Sequence, residues 1–305
     1  MLKQFIKRKL TAYLQDVIMP DATEATTARV VLAQLRERYW ESVLHCHEAG
    51  IAPSAKDERT PVIVSLTTHG NRLYETCLTI ESVMQGTVKP DSIVLWWDEK
   101  DNRELPITLQ KQVKRGLQVL RTRDIGSYEK LLPALKMFPN ANIVTVDDDI
   151  FYPHDFLECL LASHSKSPHS IVANTIMKMS YNNEGIPAGI REWPYLNEAP
   201  ADTPTDLFFE GFGGVFYPAG CLPEEVFNEK VFSNLCPTAD DIWFNAMARL
   251  AHTPIQICSR STYDFIAAVN SSCQTNSLSY INNGIDHLND RQLHAVWRHY
   301  HLQGQ

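Results

Sequence analysis

Four apolar, β-rich runs, each separated from the next by a helical pattern, constrain this chain most strongly. They are VIVSLTT (62–68), SIVLWW (92–97), LQVLRT (117–122) and NIVTV (142–146). Helical patterns lie between them, over Tyr74–Gln85, near Leu105–Gly116 and near Leu132–Met137. Strands that alternate with helices imply an α/β fold with parallel strands and right-handed crossovers. In such a sheet, ligands bind beyond the carboxyl ends of the strands. Polar residues stand at those ends: Thr67 and Thr68, Asp98, Asp124, and the triplet Asp147, Asp148 and Asp149.

The triplet ends the run VTVDDDIFYP. Three like charges at a strand end repel one another unless a cation sits among them. Asp147 and Asp149, at alternate positions, can reach one hard divalent ion such as Mg²⁺ or Mn²⁺, which takes oxygen ligands together with water and substrate phosphates. The plainer reading is a solvated acidic turn, or a cap for a helix beginning near Pro153. A second acidic pair, Asp240 and Asp241, opens a helix in ADDIWFNAMARL. An acid there can cap free N–H groups, or project toward the sheet top as a general base. Asp241 is read as the base, and Asp240 as the cap or an acceptor contact.

Other residues fill out a metal–diphosphate site. Arg72, just past the first strand in THGNRL, suits a phosphate or a nucleobase, or is a solvated loop arginine. Lys130, in SYEKLLPAL, precedes a helix that Pro133 restricts to starting nearby, so it suits a phosphate. Of Asp98 and Asp124, one is expected to accept from a base or ribose and the other to shape a turn. Gly211, Gly213 and Gly214 in GFGG permit close approach to a ligand or make a bulge. His287, in NGIDHLND, is either a metal ligand from the C-terminal segment or a solvated loop histidine.

The rest of the sequence mainly excludes. Its 305 residues carry a formal net charge of −8, which argues against nucleic-acid binding. Seven cysteines form no CxxC pair and no zinc spacing, the pattern of a reduced cytoplasmic chain. No apolar run approaches the ~20 residues of a membrane span, and Lys3, Lys7, Arg8 and Lys9 interrupt any signal-peptide core. GxxxxGK[ST], GxGxxG after the first strand, and GxSxG are absent. Residues 1–59 read as a helical extension and 60–305 as the main domain. In the extension, Leu2 to Ile18 recur at helical spacing, and a second helix over Thr23–His47 is expected to turn Val30, Val31, Leu35, Tyr39 and Val43 inward. These helices are expected to pack on the domain, on a partner or second copy, or on an anionic membrane surface. Residues 181–206 read as a long loop able to close over a ligand.

Together, SLTTHGNRL, KPDSIVLWW, SYEKLLPAL, VTVDDD, GGVFYP and CPTADDIWF resemble GT-A nucleotide-sugar glycosyltransferases, in particular those of bacterial capsule and lipopolysaccharide gene clusters. The resemblance spans roughly residues 61–300. It implies a Rossmann-like, mostly parallel GT-A sheet and a DXD pair, Asp147 and Asp149, holding Mn²⁺ (or Mg²⁺) on the donor diphosphate. Asp148 would face the donor ribose or sugar. Thr67, Arg72, Asp98, Asp124 and Lys130 would line the nucleotide, with a UDP-sugar as donor. Asp241 would deprotonate the acceptor hydroxyl in an inverting transfer, with Gly213 and Gly214 on the acceptor side. His287 would fall where some members place a last metal ligand, although no recognisable motif surrounds it. The implied acceptor is a glycan or lipid-linked glycan, and the implied location is the cytoplasm or the inner face of the membrane. The absence of membrane helices and of a QxxRW signature points to single-sugar transfer. The competing readings are a nucleotidyltransferase, which THGNRL suits poorly because it lacks a glycine-rich basic loop, and a non-enzymatic Ca²⁺-dependent carbohydrate-binding module.

Overall fold

The computed structural model describes residues 22–53, 59–196, 206–258, 267–268 and 287–303. The expected helix over Leu2–Ile18 and the Asn/Ser-rich stretch after Asn270 lie outside or almost entirely outside them. The α/β alternation is present: β1 (Val62–Thr67), α2 (Thr76–Met84), β2 (Ser92–Asp98), α3 (Ile107–Val113), β3 (Leu117–Thr122), α4 (Leu132–Met137) and β4 (Asn142–Thr145). Helix α1 (Ala22–His45) precedes them. After them come β5 (Ile150–Phe151), α5 (Phe156–Lys166), β6 (Ile171–Lys178), β7 (Tyr195–Leu196) and β8 (Leu207–Tyr217). The chain continues through α6 (Glu229–Leu235), α7 (Asp240–Leu250), β9 (Ile255–Ile257), β10 (Ala267–Ala268) and α8 (Leu288–His299).

The main sheet has the order β3-β2-β1-β4-β8-β6-β7, with β9 also paired to β6. Strands β3, β2, β1 and β4 are mutually parallel. Strand β8 runs antiparallel to both β4 and β6. The first six residues of β2 are buried throughout, as expected of a strand covered on both faces. Side chains alternate between two cores. Val62, Val64 and Leu66 face α1, α2 and α5, while Ile63 faces the core that holds α4, α6, α7 and α8.

Two expectations change here. Helix α1 belongs to the domain core from its middle onward: Tyr39 and Val43 are buried, while Val30 and Val31 are about half exposed. Segment 181–206 is not a free loop over its first part. Residues Tyr195–Leu196 add a strand to β6, and the buried Trp193 packs on Phe208 with ring centroids 5.3 Å apart. Residues 197–205 lie outside the described part.

What fastens α1 is a buried charge. Glu81 on α2 is fully buried and accepts from Arg115 (2.7 Å), Ser42 of α1 (2.6 Å) and Gln112 (2.9 Å). Burial alone would raise its pKa. The donors from Arg115, Ser42 and Gln112 outweigh that and hold it below its usual value of 4.5. The stabilisation is therefore present above about pH 4.5 and is lost as pH falls through the lower folded value. Arg115→Met should lower the unfolding free energy by about 3–5 kcal/mol in urea near neutral pH, because Glu81 would stay buried without its cation. Glu81→Gln should flatten the acid limb of the stability–pH curve.

Candidate active site

The carboxyl ends of the parallel strands carry the site. Strand β1 delivers Thr67 and Thr68, and a 3₁₀ turn, Gly70–Tyr74, follows with Arg72. A second 3₁₀ turn, Gly126–Lys130, ends on Lys130 immediately before α4. Ser65, the polar residue of β1, donates to the Lys130 carbonyl (2.6 Å), so the backbone beneath this lysine is pinned to the sheet. Strand β4 runs into the triplet. The Asp147 N–H donates to the buried Tyr152 hydroxyl (2.9 Å), which fixes the turn from below.

Asp147–Asp149 do not cap a helix. Residues Ile150–Phe151 pair with β10, and α5 starts only at Phe156, after Asp155. The triplet is instead partitioned between two cations. Arg72 reaches Asp148 Oδ1 at 2.8 Å and Asp149 Oδ2 at 3.4 Å. Thr68 donates to the other oxygen of Asp148 (2.7 Å). Both Asp148 oxygens thus serve internal contacts. Lys130 Nζ lies 3.4 Å from Asp147 Oδ1 and 3.3 Å from Asp240 Oδ2. Asp240 is the first residue of α7 and Ala239 is the N-cap, without a side-chain cap bond. The capping reading of Asp240 is therefore replaced by an ion pair: its carboxylate turns to the lysine.

Strand β8 aligns the two acidic groups. It pairs antiparallel with β4 up to Thr145 and Val215, so its preceding residues, Gly211–Gly214, run alongside the triplet. Opposite Asn174 of β6, the register jumps from Val215 to Glu210, a bulge that absorbs Gly211–Gly214. Gly213 and Gly214 have φ of 83° and 96°, which glycine adopts at little cost. Asn174 donates to the Gly213 carbonyl (2.9 Å), and a Cβ on Gly214 would lie 2.7 Å from the Phe156 ring. These two glycines serve the bulge and its packing. The glycine that meets the charges is Gly211: a Cβ there would lie 2.7 Å from both Lys130 Nζ and Asp241 Oδ1.

Helix α7 is clamped to the same strand. The buried Asn245 accepts from the Phe209 N–H (3.1 Å) and donates to its carbonyl (2.8 Å). One turn earlier on that helix face, the Asp241 carboxylate lies against the Gly211 backbone, which opposes its protonation. Burial and the neighbouring Asp240 push the Asp241 carboxyl up to about 7, although Lys130 opposes the shift. Burial likewise pushes Asp147 up to about 6 against the pull of Lys130, with Asp149, Asp148 and Asp240 adding to the rise. Lys130 itself is raised: burial works against its charge, and Asp240, Asp147 and Asp241 outweigh it.

The donor chemistry fits a hard divalent ion. Five carboxylates (Asp147, Asp148, Asp149, Asp240 and Asp241) meet Lys130 and Arg72, and three of the five, Asp147, Asp148 and Asp241, are still pushed toward protonation, chiefly by burial. Oxygen ligands with uncompensated negative charge are what Mg²⁺ and Mn²⁺ take.

The other expected residues fall elsewhere. Thr67 donates to the buried Glu129 (2.7 Å). Asp98 accepts from the Lys100 N–H (3.0 Å) and Asp124 from the Gly126 N–H (2.9 Å), so both shape turns. Asp124 also belongs to a group with His69 and Glu129 whose possible ligand atoms lie within 4.8 Å of one another. His287 is the exposed N-cap of α8 in left-handed backbone, 3.4 Å from Asp290. Asp290 in turn accepts from the Ile190 N–H (2.9 Å). Thr68, Glu129 and Tyr152 were not singled out from sequence. Thr68 alone carried a signal, as a polar residue at the end of β1.

No family model matches the chain, and no curated protein matches it. Among solved structures it is similar to S. aureus TarS 1–349, at 17% identity and a TM-score of 0.44, with 66% of this chain and 58% of that chain covered. The same TarS segment in complex with UDP-GlcNAc aligns at 16% identity and a TM-score of 0.42, over 66% and 56%. The mannosyltransferase PcManGT from Pyrobaculum calidifontis, in complex with GDP-Man and Mn²⁺, aligns at 14% identity and a TM-score of 0.39, over 76% and 66%. The match thus spans under three-fifths of the TarS segment.

Proposed function

We propose that this chain is a metal-dependent glycosyltransferase, moving a hexosyl or related sugar from a nucleoside-diphosphate sugar to a hydroxyl of a growing cell-surface glycan, with inversion. The observation that carries this reading is the position of Lys130 Nζ. It lies 3.3–3.4 Å from an acid of the triplet and an acid of the α7 pair, which gathers a metal-type donor set and a candidate base at the carboxyl ends of the parallel strands. Asp147 and Asp149 would hold the divalent ion. Bound there, it would neutralise the leaving nucleoside diphosphate. Arg72 keeps the triplet in place through Asp148.

Asp241 is the base. Its carboxylate lies against the Gly211 backbone, and burial beside Asp240 lifts its proton affinity toward neutrality, where a general base works best. It takes the acceptor hydroxyl proton as that oxygen attacks the anomeric carbon and the diphosphate departs. The donor is read as a UDP-sugar and the acceptor as a glycan or lipid-linked glycan. Among the described residues no helix is long and apolar enough to cross a membrane. In this reading any membrane contact is peripheral, and it or any pairing with a second copy runs through the N-terminal extension.

Four measurements test the reading. A panel of UDP-, GDP-, CMP- and TDP-sugars with Mn²⁺ should give nucleotide release with one donor; pyrophosphate release instead would identify a nucleotidyltransferase. Asp241→Asn should lower transfer by about 10²–10⁴-fold with an unchanged circular dichroism spectrum. Since Asp241 is protonated below about 7 and cannot then accept a proton, the wild-type rate should rise as pH rises through that value and then level off. Gly211→Ala should cost about 1–3 kcal/mol of stability through overpacking. It should also slow transfer, because its methyl displaces Lys130 or Asp241.

A further inference from the structure

The two cations of the site are held differently. Arg72 is locked: its contact to Asp148 is 2.8 Å, and Thr68 fixes the same carboxylate from the other side. Lys130 is shared. Its contacts to Asp147 and Asp240 are 3.4 and 3.3 Å, longer than the roughly 2.7–2.9 Å of a tight charge-assisted bond. Its carbonyl is pinned by Ser65, so the ammonium can change partners by rotating its four-carbon stem while the backbone stays put. The bare Cα of Gly211 leaves the room in which the stem lies.

An ammonium resting on Asp147 occupies the charge that a metal ion would take there. We propose that Lys130 is a displaceable counter-ion: in the ligand-free chain it holds Asp147 and Asp240 together, and the diphosphate of an incoming nucleotide draws it off. Nucleotide and divalent metal then bind cooperatively, because each removes an obstacle to the other. The nucleotide takes the lysine away from Asp147, and the metal frees the lysine for the phosphates. Such coupling is reciprocal, so either ligand tightens the other by the same factor. Metal without nucleotide meets a site already neutralised in part, and binds weakly. This inference rests on the reading of Asp147 as a metal ligand for a nucleoside diphosphate.

The test is a Mn²⁺ titration of the full chain, read by the electron paramagnetic resonance of free Mn²⁺. It is run with and without whichever of UDP, GDP, TDP or CMP most raises the melting temperature. In the wild type the nucleotide should tighten Mn²⁺ by about 10–100-fold. Lys130→Met should bind Mn²⁺ about tenfold more tightly without nucleotide, and the nucleotide enhancement should shrink by a similar factor. Lys130→Gln serves as a second variant should the first fold poorly. Wild type that binds both ligands, with a Lys130→Met whose Mn²⁺ affinity and enhancement match it, overturns the counter-ion role alone. Wild type that binds neither Mn²⁺ nor any nucleotide overturns the proposed function and the counter-ion role together.

Discussion

One ammonium group carries the logic of the site. Asp147 and Asp240 are 93 residues apart in the chain, on different elements, and both are charged and largely buried. Two such carboxylates approach only with a cation between them. Lys130 supplies it from a third element, the turn between β3 and α4. The pinning of that turn by Ser65, the bulge of β8 and the placement of α7 all serve to bring these three charges to one place.

A second buried charge does comparable work at a distance. Glu81 gathers donors from α1, from Gln112 at the end of α3 and from Arg115 in the turn before β3. The polar residues of this core thus do what apolar packing alone does poorly, fixing which helix face meets which. For α1 this has a clear result. Tyr39 and Val43, in its C-terminal half, lie in the same core as β1 and α2.

Much of the architecture was legible because β1, β2 and β4 are buried on both faces and therefore read as largely apolar, β-branched runs. The triplet and the α7 acids were legible because charge at a strand end or helix start needs a reason. Other features were not. Val30 and Val31 fit a helical stripe, yet they are about half exposed, and the helix meets the domain through Tyr39, Val43 and the Ser42 contact to Glu81. The region of Tyr195 read as loop because its strand has only two residues and takes its pairing from β6. In GFGG, composition announces flexibility without saying which glycine needs a positive φ and which needs empty space. That distinction depends on Asn174, Phe156, Lys130 and Asp241, all remote in sequence. Arg72 reads from sequence either as a phosphate or nucleobase contact or as a solvated loop arginine; its choice of Asp148, 76 residues on, follows only from the parallel pairing of β1 with β4.

Strand β8 has a consequence beyond alignment. One stretch of its backbone pairs with β4, brings Gly211 against Asp241 and anchors Asn245 through Phe209. The separation between the two acidic groups is therefore measured along a single piece of main chain in the interior of the sheet. Everything outward of β6, including the two-residue strand β7, hangs from that interior without setting the distance. A change in the length of that outer margin leaves the main chain between the two acidic groups untouched.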